Sequence, residues 1–442
     1  MKLKIIFNSS FIILVTFLFL GCSKNSNKEL IHLSANELHT ANISLEKDIV
    51  HDFFSPPVAS RIYLYPNLIA YEVLTQKTDK YASLQAIFSD FPVIHKYDSE
   101  KTRPLAALYC FYAVANELVY TNKNLLLEIA RLDSTYADLP ELSKIKKYTK
   151  EVSKQLFSWM KEDGYDLTRN MGDYTLLKTK GSWKPTPPDF LDALEPNWGK
   201  MRPLVLDSAS QFRSVPPILY DLSENSEFKK ELLEVYEIVK NKTATTIEIA
   251  KFWDCNPIIV VHNGHFAYSE KKLTPGGHWM NICRSAAINT KQDIEATAYA
   301  YTSLSIGVFD AFIVCWDTKY ATDYIRPVTV IQNEMDPGWS TILVTPNFPE
   351  YTSGHSVVSK VASMTLTAFF GENYAFTDST EVPYGMPPRS FKSFQDASDE
   401  AAISRFYGGI HYKTGVYKGV EQGELIGNVV LKKLKKLKNE TD

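Results

Sequence analysis

The stretch QDIEATAYAYTSLSIGVFDAFIVCWDTKYATDYIRP, Gln292 to Pro327, decides the fold. From Gln292 to about Tyr320 it is the most apolar long segment, with one glycine, Gly307, and no proline. A strand would normally end within ten residues, so this run reads as one long core helix. Asp310 sits in its apolar middle and calls for a buried polar partner. Lys319 and Arg326 then place two permanent cations seven residues apart. If the helix continued, both would lie on one face, two turns apart. Pro327 pushes Arg326 towards an extended conformation, so the shared face is conditional on the helix reaching that far.

Working outward, most of the chain repeats the helical pattern. Towards the N-terminus, Val58–Thr75 follows the pair Pro56-Pro57 and carries Ile62, Tyr65, Ile69 and Val73 at helical spacing. Leu105–Val119, Lys123–Leu132 and Ile145–Lys161 are further helices. Between Lys178 and Pro203 the pattern stops: Pro185, Pro187, Pro188, Pro196 and Pro203 exclude a regular element. Trp183 and Trp198 suggest that this crossover lies against the body. It also contains Trp198-Gly-Lys200-Met-Arg202-Pro203, an Arg-Pro without a lysine seven residues before the arginine, which reads as loop. On the C-terminal side, Ser226–Lys242 and Thr245–Phe252 are helical, and Pro257–Trp279 reads as a Gly-rich turn bearing His262, His265 and His278. Val357–Phe370 and Val416–Leu437 are core helices. Strand signals are sparse and no internal repeat stands out. The lysines between Lys432 and Lys438 read as a solvated end at the favourable pole of the last helix. The expected class is all-α, with 41–203 an N-terminal helical region including the crossover loop and 204–442 a second helical domain.

The chain has 442 residues, 45% of them hydrophobic and 13% aromatic, enough for a substantial core and too apolar for disorder. Its formal charge of -3 argues against a nucleic-acid partner. Lys2 and Lys4, the apolar run Ile5–Leu20 and Gly21-Cys22 match a bacterial lipoprotein signal, although Phe19 stands where leucine is commoner. Residues 1–21 are therefore expected to be a signal peptide and 22–40 a tether anchored in lipid through Cys22. The expected location is the cell envelope, on the periplasmic face of the outer membrane. Cys110, Cys255, Cys283 and Cys315 lie in apolar surroundings and read as buried thiols.

Three segments in the last part of the chain carry chemistry. The first is Lys319 to Arg326-Pro327. The second is Tyr351-Thr352-Ser353-Gly354-His355, a helix start: Thr352 or Ser353 can cap, Gly354 admits a ligand to the backbone, and free N–H groups favour an anion. His355 in the first turn could move a proton. The third is Ser404-Arg405-Phe-Tyr-Gly408-Gly409-Ile-His411. Arg405 offers a planar fork for two oxygens, and the His411 imidazole could attack a phosphoryl centre or ligate a metal. Taken singly, each has a structural explanation. Together they supply what a small tetrahedral anion needs, since each charge pair at 4 Å contributes on the order of 4 kcal/mol before desolvation. His262-Asn-Gly-His265 with His278 is a weak zinc signal for want of a neighbouring Cys or acid, and these residues fit the entrance of the anion pocket better.

The three segments resemble the signature of the phosphatidic acid phosphatase type 2 and vanadium-dependent haloperoxidase superfamily: Lys, six residues, Arg-Pro; Pro-Ser-Gly-His; Ser-Arg, five residues, His. The match is complete except that Thr352 replaces proline, and it covers Lys319–His411. The resemblance implies a helical bundle with the site between helices, preceded here by an additional N-terminal helical region. It further implies that Lys319, Arg326, Ser353, the Gly354 backbone and Arg405 hold the oxygens of the anion, with His355 as acid–base partner. His411 would be either the ligand of vanadate or a phosphorylated nucleophile. Trp316 and Phe348 match an aromatic pair that walls the halide side in haloperoxidases. One departure concerns the phosphatases, which resemble one another in placing Asp four residues after the nucleophilic His; here that position is Gly415, which leaves His411 without an orienting carboxylate. The balance favours the haloperoxidase-like branch, an enzyme oxidising halide with hydrogen peroxide on vanadate. A phosphoesterase working through phosphohistidine is the alternative, and a binding-only relative the third reading. Which halide or phosphoester is used, and the oligomeric state, are not written in the sequence.

Overall fold

Helix α1 (Ala35–His51) starts at Ser34, whose hydroxyl accepts from the Asn36 N–H, and α2 (Pro56–Leu74) starts at Ser55 with two prolines in its first turn. They are followed by α3 (Arg103–Leu118), α4 (Lys123–Thr135), α5 (Leu142–Met160) and the short α6 (Tyr165–Arg169). Past the crossover come α7 (Glu227–Lys240), α8 (Ala244–Phe252), an antiparallel hairpin of β1 (Ile259–Asn263) and β2 (Phe266–Glu270), α9 (Pro275–Asn289) and α10 (Ile294–Thr322). The chain ends with α11 (Pro327–Glu334), α12 (Gly354–Phe370), a second hairpin of β3 (Phe376–Asp378) and β4 (Arg389–Phe391), α13 (Phe394–Tyr407) and α14 (Lys413–Leu434). This computed structural model describes residues 33–439 apart from 258, 264, 265 and 271, and only the backbone of the first hairpin.

The expected helical class holds, and α10 is its axis. It spans 29 residues, about 44 Å at 1.5 Å per residue, and packs against α2, α9, α12 and α14. Among the described helices it alone is long and apolar enough to cross a membrane, and its most apolar 18 residues are wholly buried inside the protein. Asp310 in its middle finds backbone partners: Oδ1 accepts from the Leu204 N–H at 2.7 Å and Oδ2 from the Val205 N–H at 2.9 Å. The crossover is thus pinned to the core helix, with Trp183 and Trp198 fully buried. One hydrophobic cluster contains Leu38, Leu68, Phe111, Phe309, Val361 and Leu437, so the regions 41–203 and 204–442 share a core.

Three expectations need correction. The tether assigned to 22–40 overlaps α1, whose Leu38, Ala41 and Leu45 are buried; the apolar spacing is helical, but polar neighbours mask it. The turn expected over Pro257–Trp279 contains the first hairpin and the start of α9. Helix α10 ends at Thr322, with Asp323 left-handed at φ 48°, and α11 starts anew at Pro327, so Lys319 and Arg326 do not share a helix face. The signal segment 1–21, Cys22 and His265 lie outside the described residues, as does the side chain of His262.

The C-terminal helices fix the site by close approach. A Cβ on Gly419 would lie 2.7 Å from Ser356 Cβ, one on Gly423 2.7 Å from Val357 O, and one on Gly427 2.5 Å from Met364 Sδ. Glycine every fourth residue therefore lets α14 lie directly on α12, whose first turn carries the Ser-Gly-His segment.

Candidate active site

Ser353 is the N-cap of α12, and its Oγ accepts from the Ser356 N–H at 3.4 Å. Cap and glycine put Gly354 and His355 in the first turn, where free N–H groups and the positive pole of the helix favour an anion. That turn opens into a cavity of about 40 Å³ whose wall includes Trp316, Phe348, Gly354, His355, Arg405 and His411. The second and third sequence segments thus meet on one wall. The space suits a few heavy atoms. A roomier cleft along Thr168–Asn197 contains none of the three segments.

Lys319 and Arg326 converge although they leave different elements. Lys319 Nζ lies 4.9 Å and the Arg326 guanidinium carbon 5.1 Å from the centre of the Phe348 ring. Arg326 Nε donates to Phe348 O at 3.0 Å, and Lys319 Nζ donates to Pro349 O and Glu350 O, both at 2.9 Å. Three consecutive carbonyls are thus gripped by two buried cations. Arg326 Nη1 also donates to Ile410 O at 2.7 Å and lies 3.2 Å from His411 Nε2, while its Nη2 is buried without a partner. Arg405 is anchored through Nε to Ser404 Oγ and through Nη2 to Ala250 O. Lys319, Arg326 and Ser353 stand one contact behind the cavity wall. Ser353 Oγ accepts from its own helix, which leaves its O–H proton to donate.

His411 has a defined tautomer. A guanidinium can only donate, so His411 Nε2 accepts from Arg326, and Nδ1 carries the proton that reaches Glu350 Oε1 at 2.6 Å. Burial and the three cations hold the His411 pKa well below its ordinary value, so the imidazole is neutral with a lone pair on Nε2. Burial pushes the Glu350 carboxyl up to about 8, with Arg326 and Lys319 pulling the other way. Its Oε1 also accepts from the Tyr412 N–H, and its Oε2 has no partner. Glu350 was not singled out in the sequence. It lies 61 residues from His411, and no motif spacing joins them. Its presence corrects the expectation that Gly415 leaves His411 unoriented: a Cβ at Gly415 would sit 2.3 Å from Glu350 Oε1, so the carboxylate occupies the space a side chain there would need. The missing Asp therefore no longer argues against phosphatase chemistry.

His355 is the second imidazole of the cavity. The Trp253 backbone bonds one ring nitrogen, and Nε2 is buried without a partner. Burial, then Arg405, pulls its pKa well below the usual value, which leaves Nε2 as a free acceptor. Trp316 and Phe348 lie with ring centres 5.0 Å apart, forming an aromatic wall. His278, expected at the pocket entrance, is instead fully buried and bonded to Asp378.

Burial lowers Lys319 to about 7. An anion in the cavity favours the protonated form, so its binding raises this pKa, and affinity should fall as pH rises above about 7, by up to about tenfold per unit. We expect vanadate affinity, measured by calorimetry across pH 6–9 (roughly one unit below to two above that value), to fall more steeply in the native protein than in Lys319→Met. The variant's slope reports the anion's own titration together with that of Glu350, which both proteins share. Parallel slopes would remove Lys319 from the binding equilibrium.

Comparison with known proteins adds the family. The family described as VCPO second helical-bundle domain matches residues 300–440, which include all three segments. A bacterial vanadium-dependent iodoperoxidase of known structure is 44% identical, with 91% of this chain and 97% of that chain covered and a TM-score of 0.86. The holo and apo forms of a bacterial vanadium-dependent chloroperoxidase share the fold at 17% identity. Their TM-scores are 0.67 and 0.66, with 87% and 86% of this chain and 93% and 94% of theirs covered. No curated protein matches the sequence. With that identity over nearly its whole length, and with the three cation- and imidazole-bearing segments gathered around one cavity, the chain belongs to the vanadium-dependent haloperoxidases.

Proposed function

We propose that the protein oxidises halide with hydrogen peroxide and one proton, using vanadate, to give hypohalous acid and water. The observation that carries this reading is the charge of the site: Lys319, Arg326 and Arg405 are all buried around two neutral imidazoles, with Glu350 bonded to one of them. Uncompensated buried cations are costly, and an anion relieves them. Vanadate fits the donors present. Arg326 Nη2 and His355 Nε2 lack partners, and the one lone pair of His411 Nε2, which here accepts from Arg326 Nη1, would pass to the vanadate. Lys319, Arg326, Ser353, Arg405 and the Gly354 N–H would hold its oxygens. When bound, vanadate supplies a Lewis-acid centre that activates peroxide without changing its own oxidation state.

The chain's residues do the rest. Glu350 keeps the His411 proton on Nδ1, so Nε2 faces the cavity. His355 Nε2 takes a proton from hydrogen peroxide and returns it to the departing oxygen. Trp316 and Phe348 exclude water from the side where a weakly hydrated halide would approach. The 44% identical relative is described as an iodoperoxidase, and iodide is the halide we expect to be used best.

The test is an assay of vanadate-free protein with and without added vanadate, using iodide, bromide and chloride in turn with peroxide, and a phosphomonoester in parallel. Iodide oxidation that requires both vanadate and peroxide is expected. Phosphate release suppressed by vanadate, with no halide oxidation, would overturn the proposal in favour of the hydrolase.

A further inference from the structure

A second polar cluster lies beside the cavity and takes no part in the chemistry above. Cys255 follows α8 and reaches the cavity wall, His278 is in the first turn of α9, and Glu381 follows β3. All three are buried, at 2%, 0% and 3% exposure. Their ligand atoms face one another: Cys255 Sγ to His278 Nδ1 is 3.3 Å, His278 Nδ1 to Glu381 Oε1 is 3.3 Å, and Cys255 Sγ to Glu381 Oε1 is 4.0 Å. The far nitrogen of the ring, Nε2, lies 2.6 Å from Asp378 Oδ2, and Asp378 Oδ1 accepts from the Thr380 N–H.

Hydrogen bonding alone accounts poorly for this arrangement. One Nδ1 proton cannot serve a sulfur and a carboxylate equally, and 3.3 Å to an oxygen is longer than a good N–H···O bond. Two buried carboxylates and a thiol would share a single imidazole. A divalent cation resolves both difficulties. Nitrogen and oxygen ligands at about 2.0 Å and sulfur at about 2.3 Å around a tetrahedral ion lie about 3.3–3.5 Å apart; the two separations from His278 Nδ1 match this, and the 4.0 Å between Cys255 and Glu381 is wider and would close on an ion. The carboxylate on the opposite ring nitrogen is the usual outer partner of a metal-bound histidine, fixing the tautomer that leaves Nδ1 free to ligate.

We propose that Cys255, His278 and Glu381 bind a divalent cation of the zinc type, oriented by Asp378, with water as the fourth ligand. The thiolate and imidazole select a borderline-soft ion over magnesium or calcium. The ion joins the end of α8, the start of α9 and the segment after β3, and through Cys255 it braces the cavity wall. The zinc signal seen in the sequence around His278 lacked its acid because Glu381 arrives from a distant segment, whereas Cys255 lies only 23 residues before His278 and was read as a buried thiol.

The test needs neither vanadate nor peroxide, so it stands apart from the halide assay. Elemental analysis of the full chain, purified without added metal or chelator, should find about one zinc per molecule. Cys255→Ser and the near-isosteric Glu381→Gln should each lose most of it, with circular dichroism checking that they fold. After chelation, cobalt(II) should give a thiolate-to-metal charge-transfer band in the native chain and none in Cys255→Ser. Absence of bound metal together with no such band at saturating cobalt would overturn the proposal, as would full metal content in both folded variants.

Discussion

Arg326→Ala should weaken vanadate binding by about 30-fold or more, because it removes a buried charge whose partners cannot be rehydrated; truncations of this kind cost about 2–5 kcal/mol. Arg326 is fully buried and joins two of the three site segments, holding Phe348 O with Nε and Ile410 O with Nη1. Burial pulls its pKa down only to about 10, so it stays charged at neutral pH. Its loss strands two carbonyls and removes the donor opposite His411 Nε2. Arg326→Lys should recover only part of the affinity, since an ammonium cannot serve Phe348 O, Ile410 O and an anion in one plane. Vanadate affinity by calorimetry, with thermal unfolding of the vanadate-free proteins as control, measures this. An affinity within threefold of native in a folded Arg326→Ala protein would show that the anion does not sit against this guanidinium.

What the sequence disclosed, and what it withheld, follows from the range of the interactions. The core helix was legible because its apolar run is longer than any strand, and the cap at Ser353 because capping is local. The lysine and arginine were recognisable as a pair, but their same-face geometry was not the reason they meet. The chain breaks at Asp323, and both side chains converge on the carbonyls of Phe348, Pro349 and Glu350. Helix α13 escaped assignment because it is buried on more than one side, against α8, α12 and α14, so its apolar residues form no single stripe. The glycines at 419, 423 and 427 are visible as a four-residue repeat, but their meaning depends on α12 lying within contact of them. Glu350 and the partners of His278 were invisible for the same reason. A side chain that acts across 61 or 100 residues leaves no local spacing to read.

The distance between Glu350 and His411 also makes the carboxylate separable from the imidazole it serves. Glu350→Ala should lower vanadate affinity and iodide turnover by about 10- to 100-fold, the usual cost of losing the outer partner of a ligating histidine. Without the carboxylate, the Nδ1 proton has no acceptor, and the tautomer with Nε2 protonated, which cannot ligate, becomes accessible. Gly415→Ala should act almost as strongly without touching any polar group. Its Cβ would lie 2.3 Å from Oε1 and 2.9 Å from Cδ of Glu350, and a fully buried carboxylate held by the Tyr412 N–H has nowhere to retreat. The two positions are thus alternatives for one volume, which predicts a compensation: in Glu350→Ala, the further change Gly415→Asp places a carboxylate four residues after His411 and should restore about tenfold of the lost affinity. Recovery would show that orientation of Nδ1 is the function of Glu350. A double variant no better than Glu350→Ala, or a folded Gly415→Ala protein with native affinity, would show that Glu350 acts otherwise, as a counter-charge to Arg326 and Lys319.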